Sequence, residues 1–190
     1  ILVDAEVHLA FKVKIISWNV NSLRAREPLV QEIIEKEKPQ ILCIQELKIN
    51  DPEYVSNFFS QYKYKTITQT QKSYNGVSIS YDQGLDISEL NLPILNKDQA
   101  RNNVIVLKQY NIAIINNYFP NGNPIDTEKF SFKLEWMNML YENIKKLKKE
   151  YEIILTGDFN IIPDDNDAHD IKKYKKDALA QPESRKEFFK

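Results

Sequence analysis

Short runs of β-branched and aromatic residues recur along this chain, and four of them close on a polar side chain. Residues 13–18 run into Asn19, residues 41–44 into Gln45-Glu46, residues 112–118 end on Tyr118, and residues 151–154 lead through Leu155-Thr156 to Gly157, which reads as the break of that strand, and then to Asp158 and Asn160. Such runs read as buried strands. Residues 64–70, 76–81 and 103–107 read as further strands. Between them lie helical stretches. Pro28 suits a first helical turn, and Leu29, Val30, Ile33 and Ile34 recur at helical spacing up to Lys38. Asp51-Pro52 has the N-cap and N1 pattern of a short helix through Phe59. Asp126 opens a long helix to about Lys149, with Phe130, Leu134, Met137, Leu140, Ile144 and Leu147 on one face. Residues 182–190 read as the start of another helix. Helices alternating with groups of several strands predict a layered α/β architecture with mixed sheets.

Charge and composition narrow the partners. The 190 residues carry a net charge of −1, so no global basic field advertises a polyanion, and any nucleic-acid contact needs a local patch. That patch is expected around residues 21–26, Lys48 and Lys72. The one cysteine, Cys43, sits in an apolar run and reads as an inert core thiol. A single cysteine precludes an intramolecular disulfide and fits a reducing compartment, here the cytoplasm. No apolar run approaches the length of a membrane span. Residues 1–11 read as an N-terminal extension without the basic start of a signal peptide, and residues 12–190 as one incomplete domain.

In α/β sheets, ligand sites gather at strand ends. Asn19, Glu46, Tyr118, Asp158 and Asn160 share that context, and all offer oxygen donors. In extended backbone, Asp158 and Asn160 at i and i+2 would share one side. Two carboxylates and two amides without neighbouring Cys or His suit Mg²⁺, or Mn²⁺, rather than zinc. Such a metal neutralises charge developing in phosphoester cleavage, while a carboxylate orients water.

Four stretches in order carry a resemblance: Trp18-Asn19-Val20-Asn21-Ser22-Leu23-Arg24, Gln45-Glu46-Leu47-Lys48, Asn117-Tyr118-Phe119-Pro120-Asn121-Gly122 and Gly157-Asp158-Phe159-Asn160. Together they resemble the motifs of the exonuclease III family of AP endonucleases, within the endonuclease/exonuclease/phosphatase superfamily. The resemblance runs from about Lys12 to Lys190. It implies a DNase I-like, four-layer α/β sandwich of two mixed sheets. It implies a Mg²⁺-dependent nuclease that hydrolyses phosphodiesters 5′ to abasic sites and at the 3′ termini of duplex DNA. Carried over by residue, Glu46 would hold the metal with Asn19 beside it. Tyr118 would contact the scissile phosphate, Asp158 would orient the attacking water, and Asn160 would support Asp158. Asn160 and Asp158 also count among the candidate metal-proximal residues. Asn21, Arg24, Lys48, Asn75, Arg101 and Asn121 fall where the family touches DNA. The protein is expected to act as a monomer, away from membranes.

The family's later aromatic residue, a further Asp and a C-terminal Asp-His pair have no counterpart here, which predicts that the C-terminal part of the second sheet is missing. Two alternatives follow. One is an inactive truncated remnant; the other is a phosphodiesterase of the same superfamily with a non-DNA substrate. Trp18 and Phe159 are expected to be core aromatics, and the lysines at 145–149 a solvated face.

Overall fold

Nine strands and four α-helices form among the described residues of the computed structural model, which are 2–3, 12–92, 95 and 100–190. One mixed sheet contains β1 (Leu2–Val3), β2 (Ile15–Asn19), β3 (Ile41–Gln45), β4 (Tyr64–Gln69) and β5 (Val77–Asp82), in the order β1-β2-β3-β5-β4. A second mixed sheet contains β6 (Ile87–Leu90), β7 (Asn102–Leu107), β8 (Ile112–Tyr118) and β9 (Glu152–Asp158), in sequence order. The helices are α1 (Leu23–Glu37), α2 (Pro52–Ser60), α3 (Glu128–Leu147) and α4 (Pro182–Phe188). Two pairs are parallel, β2 with β3 and β8 with β9. Parallel neighbours need a long crossover, and α1 and α3 lie in those two connections. The class is therefore α/β with two mixed sheets. Of the expected extension at residues 1–11, only Leu2–Val3 is described, and it pairs antiparallel with β2. The rest of that extension lies outside the described residues.

The chain divides into two compact units. The first holds residues 1–118 and 150–158, and so both sheets with α1 and α2; the second holds residues 119–149 and 159–190, with α3 and α4.

In the first unit the inner faces of the sheets meet over Ile41, Cys43, Ile79, Tyr81, Ile105 and Ile114. The outer face of the first sheet packs Leu42 and Ile44 against Leu23, Val30 and Ile34 of α1 and Val55 and Phe59 of α2. Polar groups also enter this interior, among them the Ser78 hydroxyl, which is buried without a hydrogen-bond partner among the described residues. Asn116 of β8 donates to the carbonyls of Ile44 and Ser78, both at 3.0 Å, and accepts from Gln45 at 2.6 Å. These bonds join the two sheets directly beneath the end of β3.

Two elements depart from the sequence expectation. Helix α1 begins at Leu23, five residues before Pro28, which lies inside it. A proline there forgoes a main-chain bond. The earlier start has its own cap, Ser22 Oγ accepting from Ala25 N at 3.5 Å. The helix entry is also tied to the next strand, with Ser22 N donating to Glu46 O at 2.8 Å and Leu23 N to Leu47 O at 3.1 Å. In α3 the buried stripe is Lys133, Trp136, Met137 and Leu140, rotated from the expected face so that Phe130 and Leu134 are only half-buried.

Cys43 is fully buried, and burial pushes its thiol up to about 12, with Thr156 pulling weakly the other way. A thiol reagent at neutral pH is expected to leave Cys43 untouched in native protein and to modify it only in denaturant. The folded value lies above the unfolded one. Its contribution to stability is therefore intact below the usual thiol range and is lost as pH rises towards 12. Rapid labelling of the native protein would contradict this burial.

Candidate active site

The four catalytic and metal candidates of the first unit stand at the carboxyl ends of parallel strands. Asn19 is the last residue of β2, Glu46 follows β3, Tyr118 ends β8 and Asp158 ends β9. Register aligns them, since Asn19 pairs with Gln45 and Tyr118 with Asp158.

Their side chains form two hydrogen-bonded pairs. Asn19 Nδ2 donates to Asp158 Oδ2 at 2.7 Å, and Asn19 Oδ1 accepts from Asn21 N at 2.9 Å. These two contacts set the orientation of the Asn19 amide. The Tyr118 hydroxyl donates to Glu46 Oε1. The pairs sense each other. Burial raises the Tyr118 pKa most, the Glu46 bond and charge raise it further, and Asp158 adds to the push while Arg101 opposes it. Tyr118 therefore stays protonated well above neutral pH, as a donor.

Cations frame the site. Lys48 Nζ lies 3.3 Å from Glu46 Oε2 and also donates to Asn21 Oδ1. A positive charge thus rests between a carboxylate oxygen of Glu46 and the amide oxygen of Asn21. The Arg101 guanidinium lies 5.0 Å from the Tyr118 ring centre and donates to the Tyr118 carbonyl at 3.1 Å. Burial pulls its pKa down to about 10, against the raising effects of Tyr118 and Glu46, so it remains charged at neutral pH.

Backbone conformation is unusual here. Asn21, Ser22, Glu46, Lys48, Ser73 and Asn75 all have positive φ, a region that costs side-chain-bearing residues energy. Main-chain bonds across the loops hold them there. Val20 N donates to Gln45 O at 3.1 Å, Lys48 N to Asn75 O at 2.9 Å, Leu47 N to Gly76 O at 3.0 Å and Gly76 N to Ala100 O at 3.0 Å. Gly76, at φ +89, passes so close to Leu47 that a Cβ would stand 2.9 Å from Leu47 Cβ.

The expected DNA contacts divide by exposure. Asn21 and Arg24 are exposed, Lys48 is half-buried, and the Arg24 guanidinium lies 4.5 Å above the Tyr54 ring. Asn75 and Arg101 are buried; Asn75 Nδ2 donates to Gln71 Oε1 at 2.7 Å. The sequence reading passed over Tyr74, which is 58% exposed beside exposed Lys72; no strand or helix periodicity marks it.

Two expectations about residues 157–160 change. Gly157 does not break β9, which continues through Asp158. Nor does the i, i+2 argument hold for Asn160, whose φ is +44, outside extended backbone. Asn160 belongs to the second unit, where its Nδ2 donates to Phe119 O at 2.9 Å. Asn121, in the same unit, is exposed, and its Oδ1 accepts from Asn123 N at 3.2 Å.

A family model for the endonuclease/exonuclease/phosphatase family matches residues 16–189. The chain belongs to that family. This family member is 30% identical over 162 residues to exodeoxyribonuclease III of Haemophilus influenzae, covering 81% of the chain and 60% of that relative. It is 29% identical over 180 residues to a DNA-(apurinic or apyrimidinic site) endonuclease of Dictyostelium discoideum, covering 93% of the chain and 50% of that relative. The chain thus spans between half and two thirds of the length of these curated relatives. Among solved structures, a 3′ phosphatase from Neisseria bound to a product DNA hairpin superposes with a TM-score of 0.84 at 31% identity, over 93% of this chain and 69% of that one. No helix among the described residues is long and apolar enough to cross a membrane.

Proposed function

We propose that this family member is a nuclease of exonuclease III type, acting on duplex DNA 5′ to abasic sites and at 3′ ends with a divalent cation. The observation that carries the reading is the pairing, from one sheet to the other, of Asn19 with Asp158 and of Tyr118 with Glu46 at the carboxyl ends of parallel strands. Relatives named as an exodeoxyribonuclease and an AP-site endonuclease support the substrate class.

The donor chemistry fits a hard cation. The two carboxylates and the amides offer oxygen, and Lys48 already places a cation beside Glu46 and Asn21. Glu46 and Asp158, with the amide oxygen of Asn19, would hold Mg²⁺ or Mn²⁺. When bound, the metal neutralises charge on the phosphate oxygens. The remaining work falls to the chain. Asp158, oriented by Asn19, accepts a proton from the attacking water, and the phosphorus–oxygen bond to the leaving group breaks as the new bond forms. Tyr118 keeps its proton and would turn that O–H from Glu46 to a phosphate oxygen. Arg101, behind its ring, supplies fixed positive charge. Exposed Arg24, Lys72 and Tyr74 suit contact with backbone and base, and Asn121 of the second unit offers an exposed amide to the strand.

Purified protein incubated with an abasic-site duplex is expected to cleave it with Mg²⁺ or Mn²⁺ and to stop in excess chelator. Glu46→Gln is expected to weaken Mg²⁺ binding, measured by calorimetry, by at least about tenfold. Equal cleavage in chelator, or unchanged metal affinity, would reject the assignment.

A further inference from the structure

Lys133 is fully buried on α3, although the apolar periodicity of the sequence does not include it. Its ammonium donates to the main-chain carbonyl of Asn121 at 3.3 Å and to that of Asn160. Its stem is gripped by Gly122, at φ +85, where an added Cβ would stand 2.7 Å from Lys133 Cδ. The loop therefore approaches the lysine as closely as a bare backbone permits. Burying an ammonium is costly unless it is hydrogen-bonded, and a methionine would fill the same stem without that cost. The charge is explained by what it binds. Both acceptors are carbonyls of residues whose side chains are amides, and Asn160 is held in left-handed backbone with its own Nδ2 on Phe119 O.

We propose that Lys133 is a positioning residue: its ammonium fixes the main chain at Asn121 and Asn160, and so sets the aim of two amide side chains towards a nucleic-acid substrate. The inference rests on the function proposed above. Asn121 and Asn160 lie far apart in sequence, 39 residues, and the lysine gives the two segments a common anchor within the second unit. Phe119 packs edge-on against Phe159 and Trp136, with ring centres 5.2 Å and 4.9 Å apart, and supplies the apolar surround.

The test is Lys133→Met, which keeps the stem and removes the donors. By NMR, the Asn160 side-chain amide protons should exchange about tenfold faster or more, while those of Asn116 and Asn117, in the first unit, stay unchanged. On an abasic duplex, kcat should fall about 10–10²-fold at nearly constant KM. The double variant Lys133→Met/Asn160→Ala should lose less than the product of the two single losses, since part of the Lys133 effect acts through Asn160. Unchanged exchange at Asn160, or additive losses, would overturn the proposal and leave Lys133 a packing residue. If wild-type protein cleaves no DNA, the nuclease reading falls, and the exchange comparison alone decides whether Lys133 holds Asn160. If Lys133→Met does not fold, Lys133→Gln, which retains a shorter donor, serves the same comparison.

Discussion

Asp158→Asn is expected to slow phosphodiester cleavage by about 10²–10⁴-fold, the range for losing a positioned general base, with little change in folding. The substitution keeps shape and one acceptor. Asn19 Nδ2, now 2.7 Å from Asp158 Oδ2, can donate equally to a carboxamide oxygen. What disappears is the charge and the capacity to take a proton from water. The loss of a charge-assisted bond should cost only about 1 kcal/mol of stability. A second readout checks the electrostatics. Asp158 is one of the groups that raise the Tyr118 pKa, so its neutralisation should lower that pKa, although burial and Glu46 keep it elevated. Single-turnover cleavage of an abasic duplex and an ultraviolet tyrosine titration measure the two effects. A rate within tenfold of wild type would remove Asp158 from the chemistry.

Gly157→Ala is expected to be among the most disruptive single substitutions in the chain, costing about 4 kcal/mol or more. Gly157 has φ +137, which side chains rarely tolerate, and its Cβ would stand 2.0 Å from Asn117 O and 2.8 Å from Asn117 C. Those are backbone atoms of a paired strand. Asn117 is the register partner of Gly157 and is held by its own Nδ2 donating to Ile115 O and Thr156 O, each at 3.3 Å. Neither strand can yield without breaking the β8–β9 ladder that places Tyr118 beside Asp158. Gly84→Ala is the control. Its nearest neighbour is the Asp82 carboxylate at 3.1 Å, the end of a side chain that can turn away, so a change within about 0.5 kcal/mol is expected. Urea denaturation of both variants decides, and a loss below about 1 kcal/mol for Gly157→Ala would contradict the close approach.

The site residues were legible in sequence because chemistry and position coincide. Asn19, Glu46, Tyr118 and Asp158 follow apolar runs that read as strands, and polar residues at such places stand out; β3 and β8 are buried as expected, whereas β2 and β9 are mostly half-buried. The second sheet was less legible. Strand β6 (Ile87–Leu90) went unread because Ser88 and Glu89 dilute its pattern; it forms by pairing with Val104–Leu107, segments distant enough that no local window contains both. Gly157 misled for a related reason. A glycine within a strand reads as a breaker, yet here it lets one backbone pass over another.

Periodicity, composition and the order of polar strand ends by themselves determined the α/β class with mixed sheets and the residues at the strand ends. These are local properties, set by side-chain shape and by which faces must leave water. Only tertiary structure decided how those groups are used. That Asn19 orients Asp158, that Tyr118 leans on Glu46 and Arg101, and that buried Asn116 joins the sheets under Gln45 all depend on contacts across 17 to 139 residues of chain. The same holds for Lys133. A lysine on a helix reads as solvated because its charge prefers water, and only the carbonyls of Asn121 and Asn160 converging on it make the buried position stable.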